Sequence, residues 1–91
     1  MDLQTQERRG EDAKRLLNED LFKEAWQMVR ERIVLMLEHP NTPPAERERL
    51  NHALVGLRDA KRYVEQVMAT GTMVAMEIER KRTIAERLLR R

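Results

Sequence analysis

Side chains that do chemistry in enzymes are sparse in this sequence. It contains neither cysteine nor serine, which excludes thiol and serine nucleophiles and thiolate metal sites. His39 and His52 are the two histidines, and no carboxylate cluster accompanies them, so the sequence predicts no metal site. The glycines stand far apart, at positions 10, 56 and 71, which excludes a glycine-rich phosphate loop.

Acidic residues in the middle of the chain lie close to arginines along the sequence. This spacing is typical of solvated ion pairs on a helix, worth about 0.3 kcal/mol each, and not of catalytic acids. Examples are Glu46, Glu48, Asp59 and Glu65. The sequence therefore predicts a protein that is not an enzyme and needs no cofactor.

The most distinctive segment closes the chain. In ERKRTIAERLLRR, residues 79–91, six basic side chains stand against two acidic ones, and apolar residues recur between them. A helix with this sequence has an apolar face and a basic polar face. We predict that this basic tail binds a partner through Arg80, Arg82, Arg87, Arg90, Arg91, Ile84 and Leu88.

The apolar face of the tail has four possible packing or binding partners. It can fold back on the rest of the chain, with arginine stems covering apolar surface. It can dock on another protein with an acidic groove, which is the interpretation we favour. Nucleic acid is a secondary partner, because six cations can neutralise phosphates but no interleaved aromatic residue would stack on bases. Membrane-surface binding is disfavoured, because the apolar face lacks Trp and Phe.

Composition bounds both the fold and the setting. Of 91 residues, 41% are apolar, 37% are charged and only 3% are aromatic, a balance typical of long exposed helices. A chain of this size without disulfides has difficulty burying a core, which favours association with partners or with copies of itself. No apolar run approaches the roughly 20 residues that span a bilayer. The polar start, MDLQTQERRGED, resembles no signal peptide, so the protein is expected to be soluble and cytoplasmic.

Apolar spacing divides the single predicted domain into segments. His39-Pro40 ends a helix, Thr42 is expected to cap the next one, and Thr70-Gly71-Thr72 suggests a break or a kink. Leu21, Ala25, Met28 and Leu35 widen the apolar stripe of the helix before the turn. The predicted segments are an arm at 1–9, a short helix at 10–18, hairpin helices at 20–38 and 43–70, and a basic C-terminal helix at 72–91. Gly71 also allows residues 44–91 to form one bent helix instead of two.

The short, proline-rich turn between the two long helices predicts an antiparallel hairpin. In a hairpin symmetric about residue 41, positions whose numbers sum to about 82 face each other, which places Trp26 against Gly56. A helical glycine costs about 1 kcal/mol relative to alanine, so we interpret Gly56 as a notch for Trp26; the alternative is a glycine tolerated on an exposed face. The predicted hairpin core is Phe22, Trp26, Val29, Ile33, Leu50, Gly56, Leu57 and Val64.

The predicted fold class is therefore all-α: an antiparallel helical hairpin with a short N-terminal helix and a basic amphipathic C-terminal helix. The stretch RGEDAKRLLNEDLFKEAW, then RERL and VEQVMATG, resembles short helical proteins encoded in the head and packaging gene clusters of tailed bacteriophages. The resemblance covers residues 9–71 and not the basic tail. The matching residues are Arg9, Gly10, Glu11, Ala13, Leu16, Leu17, Phe22, Glu24, Ala25, Leu50, Leu57, Val64, Thr70 and Gly71.

This resemblance implies a non-enzymatic component of virion assembly or DNA packaging, located in the virion or in the host cytoplasm during assembly. We expect a structural component that docks on portal, coat or neighbouring subunits through apolar stripes and the basic tail. The alternatives are a scaffolding protein and an oligomeric packaging adaptor that resembles a small terminase subunit. Residues 1–17 are too short for the separate DNA-binding domain that such subunits usually carry. A helical adaptor with no viral role is also open.

Overall fold

The chain is all-helical in a computed structural model, which describes residues 1–90. Three helices follow one another: α1 (Leu3–Asn18), α2 (Asp20–Glu38) and α3 (Pro44–Leu89). The described part of the chain contains no strand. The molecule is a rod of 75 × 24 × 17 Å. Its length is that of α3, whose 46 residues span about 69 Å at about 1.5 Å each.

The start of the chain is helical, so the prediction of an arm at residues 1–9 is wrong. α1 begins at Leu3, and the Asp2 carboxylate caps it by accepting a hydrogen bond from the Thr5 backbone N–H at 2.7 Å. Gly10 consequently lies inside α1 and not at its beginning. α1 packs on α3 largely through small residues, so its first turns show no apolar periodicity. Its stability comes from these tertiary contacts, which a local sequence pattern does not reveal.

The cap at Asp2 predicts a pH-dependent start of α1. The hydrogen bond from the Thr5 backbone lowers the pKa of Asp2 below its ordinary value. A depressed carboxyl pKa stabilises the folded state fully above the unfolded-state pKa, and this stabilisation is lost as the pH falls through the folded-state pKa. We therefore expect Asp2→Ala to speed amide hydrogen exchange in the first turn of α1 at neutral pH, with wild type approaching the variant under acid conditions.

Asp2→Asn is the matched control for this prediction, because its amide oxygen accepts the same hydrogen bond at any pH. Protection factors in its first turn, which correct for the pH dependence of intrinsic exchange, should stay high at the acid pH where those of the wild-type protein fall. Identical exchange in wild type and Asp2→Ala at neutral pH would show that the cap does not hold the helix.

α3 runs through Gly71 without interruption, so the division into helices at 43–70 and 72–91 is wrong. Glycine lowers helix propensity by about 1 kcal/mol relative to alanine, but packing of α1 against this part of α3 outweighs that cost. No glycine among residues 1–90 has a positive φ. Within this continuous helix, the Thr72 hydroxyl donates to the Met68 carbonyl at 3.1 Å, one turn earlier.

Side chains fix the connection between α2 and α3. The Thr42 hydroxyl donates to the Met36 carbonyl at 2.6 Å, so Thr42 closes the end of α2. It does not cap α3 as predicted, since the N-cap position belongs to Pro43, which makes no side-chain hydrogen bond. Pro44 fills the first helical position, where a missing N–H has little cost.

Arg47, in the first turn of α3, completes this closure. Its guanidinium donates to the carbonyls of Leu37 at 2.6 Å, His39 at 2.8 Å and Thr42 at 3.1 Å. Carbonyls at a helix C-terminus have no partner within the helix, so one planar cation with several donors suits them. Arg47 thereby ties the end of α2 to the start of α3.

α1 and α2 both pack along α3. Residues that come earlier in α1 and α2 contact residues that come later in α3. Arg47 contacts the end of α2, Lys61 lies over Trp26, and Gly71 meets Gly10. The core between the helices is thin. Within residues 1–90, the apolar side chains classed as buried are Ala13, Ile33, Leu50 and Val74.

Candidate protein-docking surfaces

The residues predicted to form the hairpin core differ widely in burial. Ile33 and Leu50 are buried, as a core requires. Val29 and Gly56 are exposed. The remaining members are half-buried: Phe22, Trp26, Leu57 and Val64. With so little of its apolar surface enclosed, the rod has side chains available for contacts with other molecules.

Trp26 does not enter a notch at Gly56, so this predicted contact is wrong. A Cβ placed on Gly56 would meet nothing within 4 Å. The Lys61 ammonium instead lies 4.2 Å from the centre of the Trp26 ring, a cation–π distance. The seam of α3 passes through Leu57, and at about 100° per residue Gly56 lies well outside it. The alternative, a glycine tolerated on an exposed face, describes Gly56.

Close backbone approach occurs at a different pair of glycines, Gly10 on α1 and Gly71 on α3. A Cβ on Gly10 would lie 2.6 Å from Gly71 Cα, and a Cβ on Gly71 would lie 2.5 Å from Gly10 Cα. The Val67 carbonyl lies 3.3 Å from the first of these positions, so the backbones themselves are in contact. Only glycine permits this approach. The symmetric register could have found the pair, because 10 and 71 sum to 81.

Beyond this crossing, α3 extends past the end of α1. α1 starts at Leu3, which faces roughly residue 78 in the register set by the two glycines. The following segment, residues 79–89, is helical and carries Ile84 and Leu88, which are 43% and 62% exposed. We call this segment together with its C-cap Arg90, residues 79–90, the overhang. It continues the axis of α3, so the alternative in which the tail folds back on the chain is wrong.

Two of the predicted basic residues of the tail are paired with acids of the same helix. Arg80 contacts Glu77 at 2.7 Å, and this hydrogen bond lowers the pKa of Glu77 and raises that of Arg80. Arg82 lies 2.8 Å from Glu79. Both pairs are exposed to water and contribute little to stability.

The charges nearer the end of α3 are available to a partner. Arg87 and Arg90 make no ion pair within 4.0 Å in the part of the chain that the structure describes. Arg91, which was also predicted to bind a partner, lies outside the described residues. The overhang therefore presents apolar side chains together with unpaired cations.

A second exposed apolar surface lies on α2. Leu21, Met28 and Leu35 are 75%, 54% and 67% exposed, so they do not widen the buried stripe as predicted. They recur every seven residues, and a glutamate follows each by three positions: Glu24, Glu31 and Glu38. Sequence reasoning missed this surface, although the repeated pattern of an apolar residue and a glutamate was visible. We call it the acidic face of α2.

No protein family, curated protein or solved structure matches this chain. Among residues 1–90, no helix is long and apolar enough to cross a bilayer. The same residues contain no group of three potential metal ligands.

Proposed function

We propose that this protein is a non-enzymatic structural component that works by docking on other proteins through exposed apolar faces and the basic end of α3. The resemblance to bacteriophage head and packaging proteins supplies the setting. In that setting, the partners are portal, coat or neighbouring subunits during virion assembly.

The overhang is the observation that carries this proposal. The overhang continues α3 past the end of α1, so it lacks the packing against a neighbouring helix that supplies most helical stability in proteins. Ile84 and Leu88 expose apolar surface that is worth about 25 cal/mol for each Å² removed from water. Contact with a second protein would stabilise the helix and bury these side chains together.

Charge favours an acidic partner for the overhang. Residues 79–90 carry five basic and two acidic side chains, a net charge of +3. A partner groove with carboxylates at its rim would speed association and orient the helix. The antiparallel arrangement of α2 and the first half of α3 would act as a stiff hairpin that presents the overhang at one end of the rod.

The surroundings of the carboxylates in the middle of the chain support a role in binding over a role in catalysis. Glu46 lies 3.8 Å from Arg49, and Asp59 lies 4.0 Å from Arg58, with all four side chains largely exposed. Exposed ion pairs on a helix are weak and solvated. A catalytic acid usually lies in a concave site that holds the substrate, whereas these carboxylates lie on a convex helix surface.

Charge reversal in the overhang tests the proposal. We expect Arg87→Glu/Arg90→Glu to weaken co-sedimentation with purified portal rings or empty coat shells at least tenfold, since repulsion replaces attraction at the contact. Circular dichroism should show unchanged helix content, because both side chains are exposed. The matched control is Arg49→Glu/Arg58→Glu, the same charge change in the first half of α3, which should bind like wild type.

Two results would contradict this proposal. One is equal binding by wild type and the overhang variant. The other is that wild type binds neither portal rings nor coat shells. A closed ring of many subunits that retards duplex DNA in a gel would instead support the packaging-adaptor alternative.

A further inference from the structure

We propose that the basic end of α3 in one copy docks on the acidic face of α2 in a second copy, so that the protein assembles head to tail. This inference rests on the proposed function, since it takes docking as given and names one partner. The two surfaces complement each other in periodicity, length and charge.

The acidic face of α2 has one apolar position per heptad, while Ala25, Arg32 and His39 occupy the second position that a coiled-coil seam would use. Its apolar residues recur every seven positions, and its glutamates recur with the same period. Glu24, Glu31 and Glu38 make no ion pair within 4.0 Å in the part of the chain described. Glu31 only accepts a hydrogen bond from Gln27, at 2.9 Å. The face therefore has both apolar surface and negative charge without a counterpart.

The C-terminal part of α3 presents the opposite combination. At about 100° per residue, Met73, Ile84 and Leu88 lie within about 60° of one another, and all are exposed. Arg80 and Arg87 lie along the same side, seven residues apart. This spacing of about 10.5 Å equals that between successive glutamates of α2.

The two surfaces also agree in length and charge. Residues 73–88 span about 24 Å and residues 21–38 about 27 Å at about 1.5 Å per residue. The charges that complement each other are those beside the apolar residues, Glu24, Glu31 and Glu38 on α2 and Arg80 and Arg87 on α3. As whole segments, residues 21–38 have a net charge of 0 and residues 73–88 a net charge of +1. Opposite charges at the flanks of an apolar seam set the choice and orientation of partner in helical assemblies.

These surfaces cannot meet within one molecule. α3 is a single helix from Pro44 to Leu89, and α2 packs near its beginning. The overhang lies at the other end of a rod that is 75 Å long. A break in α3 would be needed to bring them together, and α1 packs against α3 where Gly71 could have provided one.

In a head-to-tail assembly each copy binds one neighbour through its overhang and another through its acidic face, which is a heterologous contact. Such contacts produce a ring when the rotation between copies closes and a filament when it does not. Each added copy would bury one overhang and one acidic face and leave one of each free at the ends.

Complementary charge reversal in the full-length chain tests this inference. One variant, Glu24→Arg/Glu31→Arg, makes both surfaces basic, and the other, Arg80→Glu/Arg87→Glu, makes both acidic. Light scattering should find wild type associated and each variant alone monomeric. An equimolar mixture of the two variants should associate again, because each supplies the charge that the other lacks. Arg82→Glu is the control, since Arg82 lies on the opposite side of α3 and should leave association unchanged.

Each other outcome overturns the inference. Wild type that stays monomeric at high concentration shows that the partner is not a second copy, while binding to portal or coat would still uphold the proposed function. Association that persists in either variant alone places the contact on another surface. If a charge-reversal variant loses helix content, Met28→Lys, a single change at an exposed residue, is used in its place. Undiminished association of the Met28→Lys protein would likewise place the contact on another surface.

Discussion

Replacing Gly71 with alanine is expected to destabilise the protein by about 2 to 3 kcal/mol. The new Cβ would lie 2.5 Å from Gly10 Cα and 3.2 Å from the Gln6 carbonyl oxygen. Backbone atoms in two helices cannot yield as a flexible side chain would, so α1 must move away from α3. That movement also exposes Ala13 and Val74, which are buried beside the crossing. Urea unfolding followed by circular dichroism measures the loss, and amide exchange should localise it to α1.

Gly56→Ala is the matched control, because it makes the same chemical change in the same helix. A Cβ at position 56 meets nothing within 4 Å, so only the higher helix propensity of alanine acts. We expect stabilisation of up to about 1 kcal/mol. The two substitutions should therefore have opposite signs.

The partner glycine provides a second check on this contact. Gly10→Ala should also destabilise, since its Cβ would lie 2.6 Å from Gly71 Cα. The double substitution should cost less than the sum of the single ones, because helices separated by one methyl group already have room for the other. A stabilised Gly71→Ala protein, or strictly additive effects, would show that the backbones are not in contact in solution.

Arg47→Met is expected to cost about 2 kcal/mol, the second largest effect among our predictions. The carbonyls of Leu37, His39 and Thr42 would lose the cationic donor that they share. Hydrogen bonds to a charged donor are stronger than neutral ones. Access of water to the turn keeps the loss below the sum of three such bonds. Methionine retains much of the apolar stem of Arg47, so the change in the free energy of unfolding measures the contribution of the guanidinium group.

Two further variants isolate the role of Arg47. Arg47→Lys keeps the charge but cannot reach three carbonyls with a planar fork, so it should fall between wild type and methionine. Arg49→Met removes an exposed arginine whose nearest acid, Glu46, lies at 3.8 Å, and it should change stability by less than about 0.5 kcal/mol. Fluorescence of Trp26, the single tryptophan, follows unfolding where α2 packs on α3. Equal losses for Arg47→Met and Arg49→Met would contradict the closure.

Local patterns in the sequence determined the type of structure and several boundaries. Apolar residues at spacings of three and four, few aromatic residues and the proline-rich turn predict helices, and the described chain is all-helical. The end of α2 before Pro40 follows from the restriction that proline places on the preceding residue. The excess of basic residues in 79–90 and the spacing of their apolar residues are also readable from the sequence, because charge and periodicity are local properties.

Tertiary structure decided which residues meet, because contact depends on how two helices are rotated about their axes. A rotation of one residue, about 100°, turns Gly56 away from Trp26, and the same geometry brings Gly10 against Gly71. Whether a helical glycine acts as a break or as a contact depends on the helix opposite, so Gly71 alone did not reveal that α3 is continuous. The guanidinium of Arg47 could have pointed to solvent, and only the nearby end of α2 gave it carbonyls to bind. Leu21, Met28 and Leu35 fit an apolar stripe by spacing, but α3 covers a different side of α2 and leaves them exposed.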